Sequence, residues 1–147
     1  MRIGLVSDTH NLLRPEVLAY LRGSDHILHA GDICGEAVLH TLAELAPLTA
    51  VRGNNDRGDW ARRLPEALTV EFGGVPVHMV HDLKELVLPA GARVVVTGHS
   101  HKPLVEERGG VLYVNPGSAG PRRFRLPISA GELLLQGGEV RAHLVQF

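Results

Sequence analysis

Five short polar islands punctuate this chain, and most of them stand directly behind an apolar run. They are Asp8-Thr9-His10, Gly31-Asp32, Gly53-Asn54-Asn55-Asp56, His81 and Gly98-His99-Ser100-His101. The runs before them read as buried strands. The islands therefore fall at strand ends or in the loops that follow, where open α/β sheets bind their ligands. Two carboxylates, one amide and four imidazoles in that setting have the make-up of a ligand set for a two-metal centre.

The first third of the chain alternates strand and helix signals. Arg2 to Val6 reads as a strand. Pro15 suits a first helical turn, and Val17, Leu18 and Leu21 recur at helical spacing until Gly23. His26 to His29 is a second strand. Glu36 to Ala46 is amphipathic through Val38, Leu39, Leu42 and Leu45 and is ended by Pro47, before a third strand from Leu48 to Val51. A β-α-β-α-β order implies a parallel sheet with right-handed crossovers. The remainder is hairpin-rich, with Gly73-Gly74, Gly109-Gly110 and Gly137-Gly138 each between two strand-like runs. A short helix over Leu83 to Leu88 and a buried β-branched strand over Ala92 to Thr97 separate the first two hairpins. The expectation is an α/β (α+β) fold of two sheets packed face to face, with helices outside the α/β half and the three hairpins building the second sheet. Residues 1–147 are expected to form one domain, a length that buries a core without staples.

A net charge of −1 argues against dedicated nucleic-acid binding, which normally brings a strong basic excess. Small phosphorylated substrates remain open, because metals can supply the positive charge. Cys34 is the only cysteine, so no internal disulfide forms and a reducing compartment is expected. No signal segment and no apolar run near spanning length is present, so the reading is cytoplasmic with no membrane partner. Exposed edges of the second sheet leave a homo-oligomer open.

Asp8 and His10 stand two apart, and on an extended chain such residues project to one side, so both can reach one ion. Asp32 follows a glycine that lets the backbone turn sharply, and a carboxylate can bridge two cations where an imidazole cannot. Asn54 offers a neutral amide oxygen, His99 and His101 repeat the two-apart geometry, and His81 ends the Val77 to Val80 run. Hard oxygen and imidazole donors without thiolate suit Mn²⁺, Fe²⁺ or Zn²⁺ better than Ca²⁺. Two such ions about 3.5–4 Å apart would activate a shared water and neutralise phosphoryl oxygens.

The order Asp-x-His, Gly-Asp, Gly-Asn-x-Asp, His, Gly-His-Ser-His resembles the calcineurin-like metallophosphoesterases. Gly98-His99-Ser100-His101-Lys102-Pro103 and Asn115-Pro116-Gly117-Ser118 narrow the resemblance to the compact bacterial and archaeal phosphodiesterases of the YfcE/MJ0936 type, relatives of the retromer subunit Vps29. It covers nearly the whole chain and implies a four-layer α-β-β-α sandwich of two mixed sheets. It assigns a first metal to Asp8, His10, Asp32 and His101 and a second to Asp32, Asn54, His81 and His99. It implies two divalent ions, Mn²⁺ first, with Fe²⁺, Zn²⁺, Ni²⁺ or Mg²⁺ as alternatives. The implied activity is hydrolysis of a small phosphodiester by hydroxide held between the metals, with Asp8, Asp32, Asn54 and His81 acting through them. A Vps29-like interaction scaffold and a phosphomonoesterase are the alternative readings.

The chain departs from the family at two positions. Asn55 stands where larger relatives carry a His that can protonate the leaving group, and Asn cannot act as a general acid near neutral pH. Activity is therefore expected on substrates with acidic leaving groups. Asp82 stands where the family often has Gly, and either narrows the site or orients His81. Arg122, Arg123 and Arg125 read either as a solvated loop or as a phosphate clamp led by Arg122. Asn115 to Ser118 reads equally as a turn or as a lining of the site. His26, His29, His40, His78 and His143 are expected in structural or surface roles, with His29 close to Asp32. Cys34 is expected to be an inert thiol, and Asp56 either to cap the following turn, the preferred reading, or to orient a ligand.

Overall fold

The computed structural model describes all 147 residues. Two five-stranded mixed sheets pack face to face. The first takes β1 (Arg2–Val6), β2 (His26–His29), β3 (Leu48–Ala50), β9 (Ser129–Gln136) and β10 (Glu139–Gln146), in the order β10-β9-β1-β2-β3. The second takes β4 (Ala67–Phe72), β5 (Val75–Val80), β6 (Val94–Val96), β7 (Leu104–Arg108) and β8 (Val111–Asn115), in the order β4-β5-β6-β8-β7.

Each sheet has three parallel strands, β1-β2-β3 in one and β5-β6-β8 in the other, with antiparallel strands beside them. Such strands carry apolar residues on both faces because both faces are covered. Ile3 and Leu5 of β1 and Leu28 of β2 point into the core between the sheets, with Met79, Val94, Val96 and Leu133. Val6 and Ile27 point the other way, against α1 (Pro15–Leu21) and α2 (Glu36–Leu45), where they meet Val17, Leu21 and Leu42. The helical spacing of those apolar residues is what binds α1 and α2 to the outside of the first sheet.

The third hairpin departs from expectation. β9 and β10 join the first sheet, not the second, with β9 antiparallel to β1 in the register Ile3↔Leu133. Leu133 and Leu135 thereby complete the core beside Ile3 and Leu5, and the free edge of β1 is paired. The segment expected as a helix over Leu83 to Leu88 forms only a 3₁₀ turn, Leu83–Glu85, in the β5–β6 connection. Val87 and Leu88 beyond it are exposed, so no apolar face exists to hold a longer helix. An unanticipated four-residue helix, α3 (Asp59–Arg62), places Trp60 against the cluster under α1 and α2.

Leu5 is fully buried between the sheets, whereas Leu134 on β9 is 38% exposed. Leu5→Ala is expected to lower unfolding free energy by about 3 kcal/mol. Leu134→Ala is expected to stay within about 0.5 kcal/mol of wild type in the same urea titration.

Candidate metal centre

The parallel strands bring their carboxyl ends to one region. Asp8 follows β1, Asp32 follows β2, Asn54 follows β3, His81 follows β5, His99 and His101 follow β6, and Asn115 ends β8. The β1–β2 ladder continues past the strands as Asp8 N–H to Gly31 O (3.0 Å), His10 N–H to Asp32 O (3.0 Å) and Asn11 N–H to Ile33 O (2.8 Å). These bonds hold an unusual backbone. Eight non-glycine residues have positive φ, and five of them are Asp8, His10, Asp32, His99 and His101. Left-handed conformations cost a branched-free L-residue of order 1 kcal/mol each and gather where function needs them. The two-apart residues therefore converge through left-handed loops, not through the alternation of an extended strand, which ends at Val6 and Val96.

Asp8 is fully buried. Its Oδ2 accepts from the Ser7 hydroxyl (2.6 Å) and the His99 N–H (3.1 Å). Its Oδ1 has no partner and faces His101 Nε2 at 3.2 Å, His10 Nε2 at 3.8 Å and His81 Nε2 at 3.9 Å. Asp32 Oδ2 lies 3.7 Å from His10 Nε2 and 3.4 Å from His81 Nε2. His81 donates from Nδ1 to the Ala30 carbonyl at 2.6 Å, which leaves Nε2 buried without a partner. Two three-donor groups result, Asp8-His10-His101 and Asp8-Asp32-His81, each with its donor atoms within 4.8 Å of one another. Asp8 belongs to both, and Asp32 reaches a histidine of each. Beside the second group, His99 Nδ1 lies 3.1 Å from Asn54 Oδ1, and the His81 and His99 rings stand edge to face at 5.2 Å. Buried carboxylate and imidazole atoms that lack hydrogen-bond partners, in groups whose donors lie within 4.8 Å of one another, fit divalent cations held by oxygen and imidazole.

Charge compensation sets the titration of this cluster. Burial alone raises the Asp8 carboxyl, but facing His101, His81 and Ser7 outweigh it and hold it below the ordinary carboxylate range. Asp32 is likewise held low against burial, by His81 and by both donors of Asn55. Burial disfavours the His81 cation, yet Asp32, Asp8 and the Ala30 carbonyl together raise it to about 9. His29, fully buried, is pushed down to about 3 by burial. Its Nδ1 accepts from the Gly31 N–H at 3.1 Å, so its Nε2–H donates to Thr9 Oγ1 at 3.0 Å.

The residue that organises these loops is Asp56. Read from the sequence as a turn cap, it is buried and accepts four backbone N–H bonds: Asp32 (3.0 Å), Ile33 (2.8 Å), Cys34 (2.8 Å) and Gly53 (2.7 Å). One carboxylate thus ties the loop carrying Asp32 to the loop carrying Asn54. Asn55 donates its backbone N–H to Asp32 Oδ1 and its side-chain amide to Asp32 Oδ2, both at 2.9 Å. A Cβ on Gly53 would collide with Asp32 Oδ1 and its backbone N, so only glycine allows this approach.

Other expectations resolve as follows. Asn115 to Ser118 is buried and acts as a clamp. Asn115 Nδ2 donates to the Gly98 carbonyl (2.9 Å), and the Ser118 hydroxyl donates to the Asp8 carbonyl (2.9 Å). Cys34 is half-buried, its thiol raised to about 11 by burial and the nearby carboxylates, as an inert thiol requires. Arg122, Arg123 and Arg125 are exposed and make no side-chain hydrogen bond. Asp82 faces His99 and not His81. A small cavity of about 90 Å³ lined by Arg52, Asn54, His81, Asp82 and Glu85 opens on this side of the cluster.

The family model of the calcineurin-like phosphoesterase superfamily domain matches residues 1–136, and the chain belongs to that family of metallophosphoesterases, which makes it a hydrolase. A probable metallophosphoesterase of Methanothermobacter thermautotrophicus is 33% identical over 99% of this chain and 92% of its own. Phosphodiesterase MJ0936 of Methanocaldococcus jannaschii is 28% identical over 80% of this chain and 83% of its own. Among solved structures, a single mutant of Vps29 from Entamoeba histolytica superposes with a TM-score of 0.75 at 25% identity, covering 100% of this chain and 99% of that one.

Two outcomes follow from the site's electrostatics and its anchoring. The His81 cation, raised from 6.5 to about 9, contributes stability that is complete below pH 6.5 and lost as pH rises through about 9. Thermal unfolding of chelator-treated protein should therefore fall between pH 6.5 and 9, and His81→Gln should flatten that limb. Asp56→Ala, which strands four buried N–H groups, is expected to cost about 3 kcal/mol in urea unfolding. It should also weaken metal uptake, measured by equilibrium dialysis.

Proposed function

We propose that the chain is a metal-dependent phosphodiesterase that binds two divalent cations, Mn²⁺ first. One would be held by Asp8, His10, Asp32 and His101, and the other by Asp32, Asn54, His81 and His99. The observation that carries this reading is the pair of buried, unpartnered atoms Asp8 Oδ1 and His81 Nε2, 3.9 Å apart with Asp32 Oδ2 beside them. When bound, the cations would lower the pKa of water and neutralise charge on the phosphoryl oxygens.

The chain's own residues prepare that chemistry. Ser7 and the His99 N–H hold one oxygen of Asp8, so the other keeps a fixed direction. Asn55 fixes the Asp32 carboxylate plane through two bonds. The Ala30 carbonyl accepts from His81 Nδ1–H, so Nε2 is the nitrogen that would meet a cation once its own proton is lost. Because the Asn55 amide is spent on Asp32 and carries no acidic proton, no side chain at that position protonates the leaving group. Arg122 is exposed on the loop that leaves Ser118 and Gly120 and is proposed as a phosphate contact. The phosphodiesterase named among the relatives supports the diester preference. The single cysteine supports a reducing, cytoplasmic setting.

The test is hydrolysis of a series of aryl phosphodiesters by Mn²⁺-loaded protein, with the corresponding monoesters alongside. Turnover of diesters that falls steeply as leaving-group pKa rises is expected. Asp8→Asn should lower kcat/KM by more than the roughly 10–100-fold typical of an outer-shell partner. A flat leaving-group dependence would contradict the role given to Asn55. Full activity in Asp8→Asn would contradict the metal centre itself.

A further inference from the structure

His29 ends β2, is fully buried, and has both ring nitrogens engaged. Nδ1 accepts from the Gly31 N–H at 3.1 Å. Nε2 lies 3.0 Å from the Thr9 hydroxyl, which itself donates to the Ile33 carbonyl at 3.2 Å. A hydroxyl has one proton to give, so at Nε2 its oxygen accepts and the ring carries the proton there. The bonds therefore run in one direction, from the Gly31 N–H through the ring and the Thr9 hydroxyl to the Ile33 carbonyl. Gly31 and Ile33 flank Asp32 on the loop after β2, and Thr9 stands between Asp8 and His10 on the loop after β1.

Asp8, His10 and Asp32 have left-handed backbone, and Thr9 does not. Threonine is β-branched and poorly suited to that region, so the chain alternates there and the Thr9 side chain is the one that ties across. We propose that His29 and Thr9 form an uncharged brace that positions the donors of the first cation, holding Asp8 and His10 in register with Asp32. The proposal deepens the two-cation reading and rests on it. The ring braces only while neutral, because a proton on Nδ1 would face the Gly31 N–H and break the chain of bonds. Burial pushes His29 down to about 3, which keeps it neutral near pH 7. Neutrality matters here, since an ammonium or guanidinium in the same place would repel the ions it helps to seat. With both nitrogens committed, His29 is a positioning residue and not a ligand. Groups that fix ligands without touching the ion are worth about 10–100-fold in affinity.

Two pairs of variants separate this role from packing. Thr9→Val keeps the branched shape and removes the hydroxyl, whereas Thr9→Ser keeps the hydroxyl and removes a methyl. His29→Gln keeps an amide donor near the Nε2 position, whereas His29→Asn keeps only an acceptor near Nδ1. Metal-stripped full-length protein labelled with ¹⁵N-histidine is titrated with Zn²⁺ against a competing chelator and followed by long-range ¹H–¹⁵N correlation. The His10 and His101 rings report the first cation, and the His81 and His99 rings the second. In the wild type His29 should be the Nε2–H tautomer throughout, and zinc should reach both pairs of rings. In Thr9→Val the affinity at His10 and His101 should fall by about tenfold or more, with a much smaller change at His81 and His99. Thr9→Ser should restore it, and His29→Gln should retain more of it than His29→Asn. Unaltered affinity at His10 and His101 in Thr9→Val, or an equal loss in Thr9→Ser, would overturn the brace, as would a His29 ring protonated at Nδ1. Should Thr9→Val fail to fold, the ring variants decide, and equal affinities in the two would overturn it. Zinc at only one pair of rings in the wild type would overturn the two-cation reading, and this proposal with it.

Discussion

Asp8 and Asp32 are two carboxylates buried a few ångströms apart, and the structure around them is arranged so that both stay ionised. Uncompensated, such a pair shares a proton or forces its way to water. Here each carboxylate receives hydrogen bonds on its protein-facing side, from Ser7 and His99 or from Asn55. On the other side Asp8 turns toward the imidazoles of His10, His81 and His101, and Asp32 toward those of His10 and His81. The negative charge is balanced in the metal-free protein chiefly by the His81 cation. A divalent ion offers the stronger balance and would displace that proton, so metal uptake and proton release are linked.

The sandwich exists to make that cluster. Two triplets of parallel strands, one from each sheet, aim their carboxyl ends at a shared edge, so six loops meet there. Rigidity comes from carboxylate and amide anchors that bond backbone instead of each other. Asp56 gathers four N–H groups from two loops, and Asn115 and Ser118 hold the carbonyls of Gly98 and Asp8 from the β8 side. This network lets five donor residues occupy left-handed backbone that would otherwise relax.

The gathering of these polar side chains was legible in the sequence because most of them stand just behind an apolar strand. β1 and β2 were legible to the residue for the same reason. What escaped was whatever depends on distant partners. The β9–β10 hairpin reads locally like the other two, and only the unpaired edge of β1 and the hole beside Ile3 and Leu5 assign it to the first sheet. Asp56 looks like any aspartate before a turn, since its four bonds are to backbone that sequence pattern does not reveal. Its place two residues beyond Asn54, inside a donor island, was the available signal. Asp82 stands out in the sequence, but His99, which it faces, lies on another strand end. The expected helix over Leu83 to Leu88 failed because Val87 and Leu88 found no surface to cover.

The chain shares its fold along its whole length with Vps29, and a fold does not by itself fix a function. What distinguishes a hydrolytic centre is whether its donors converge on ions. Anomalous diffraction at the manganese edge, from crystals grown with Mn²⁺, addresses that directly. Two peaks about 3.5–4 Å apart are expected, one beside Asp8, His10 and His101 and one beside His81 and His99, with Asp32 between them. A single peak, or none, among these residues would contradict a two-cation centre.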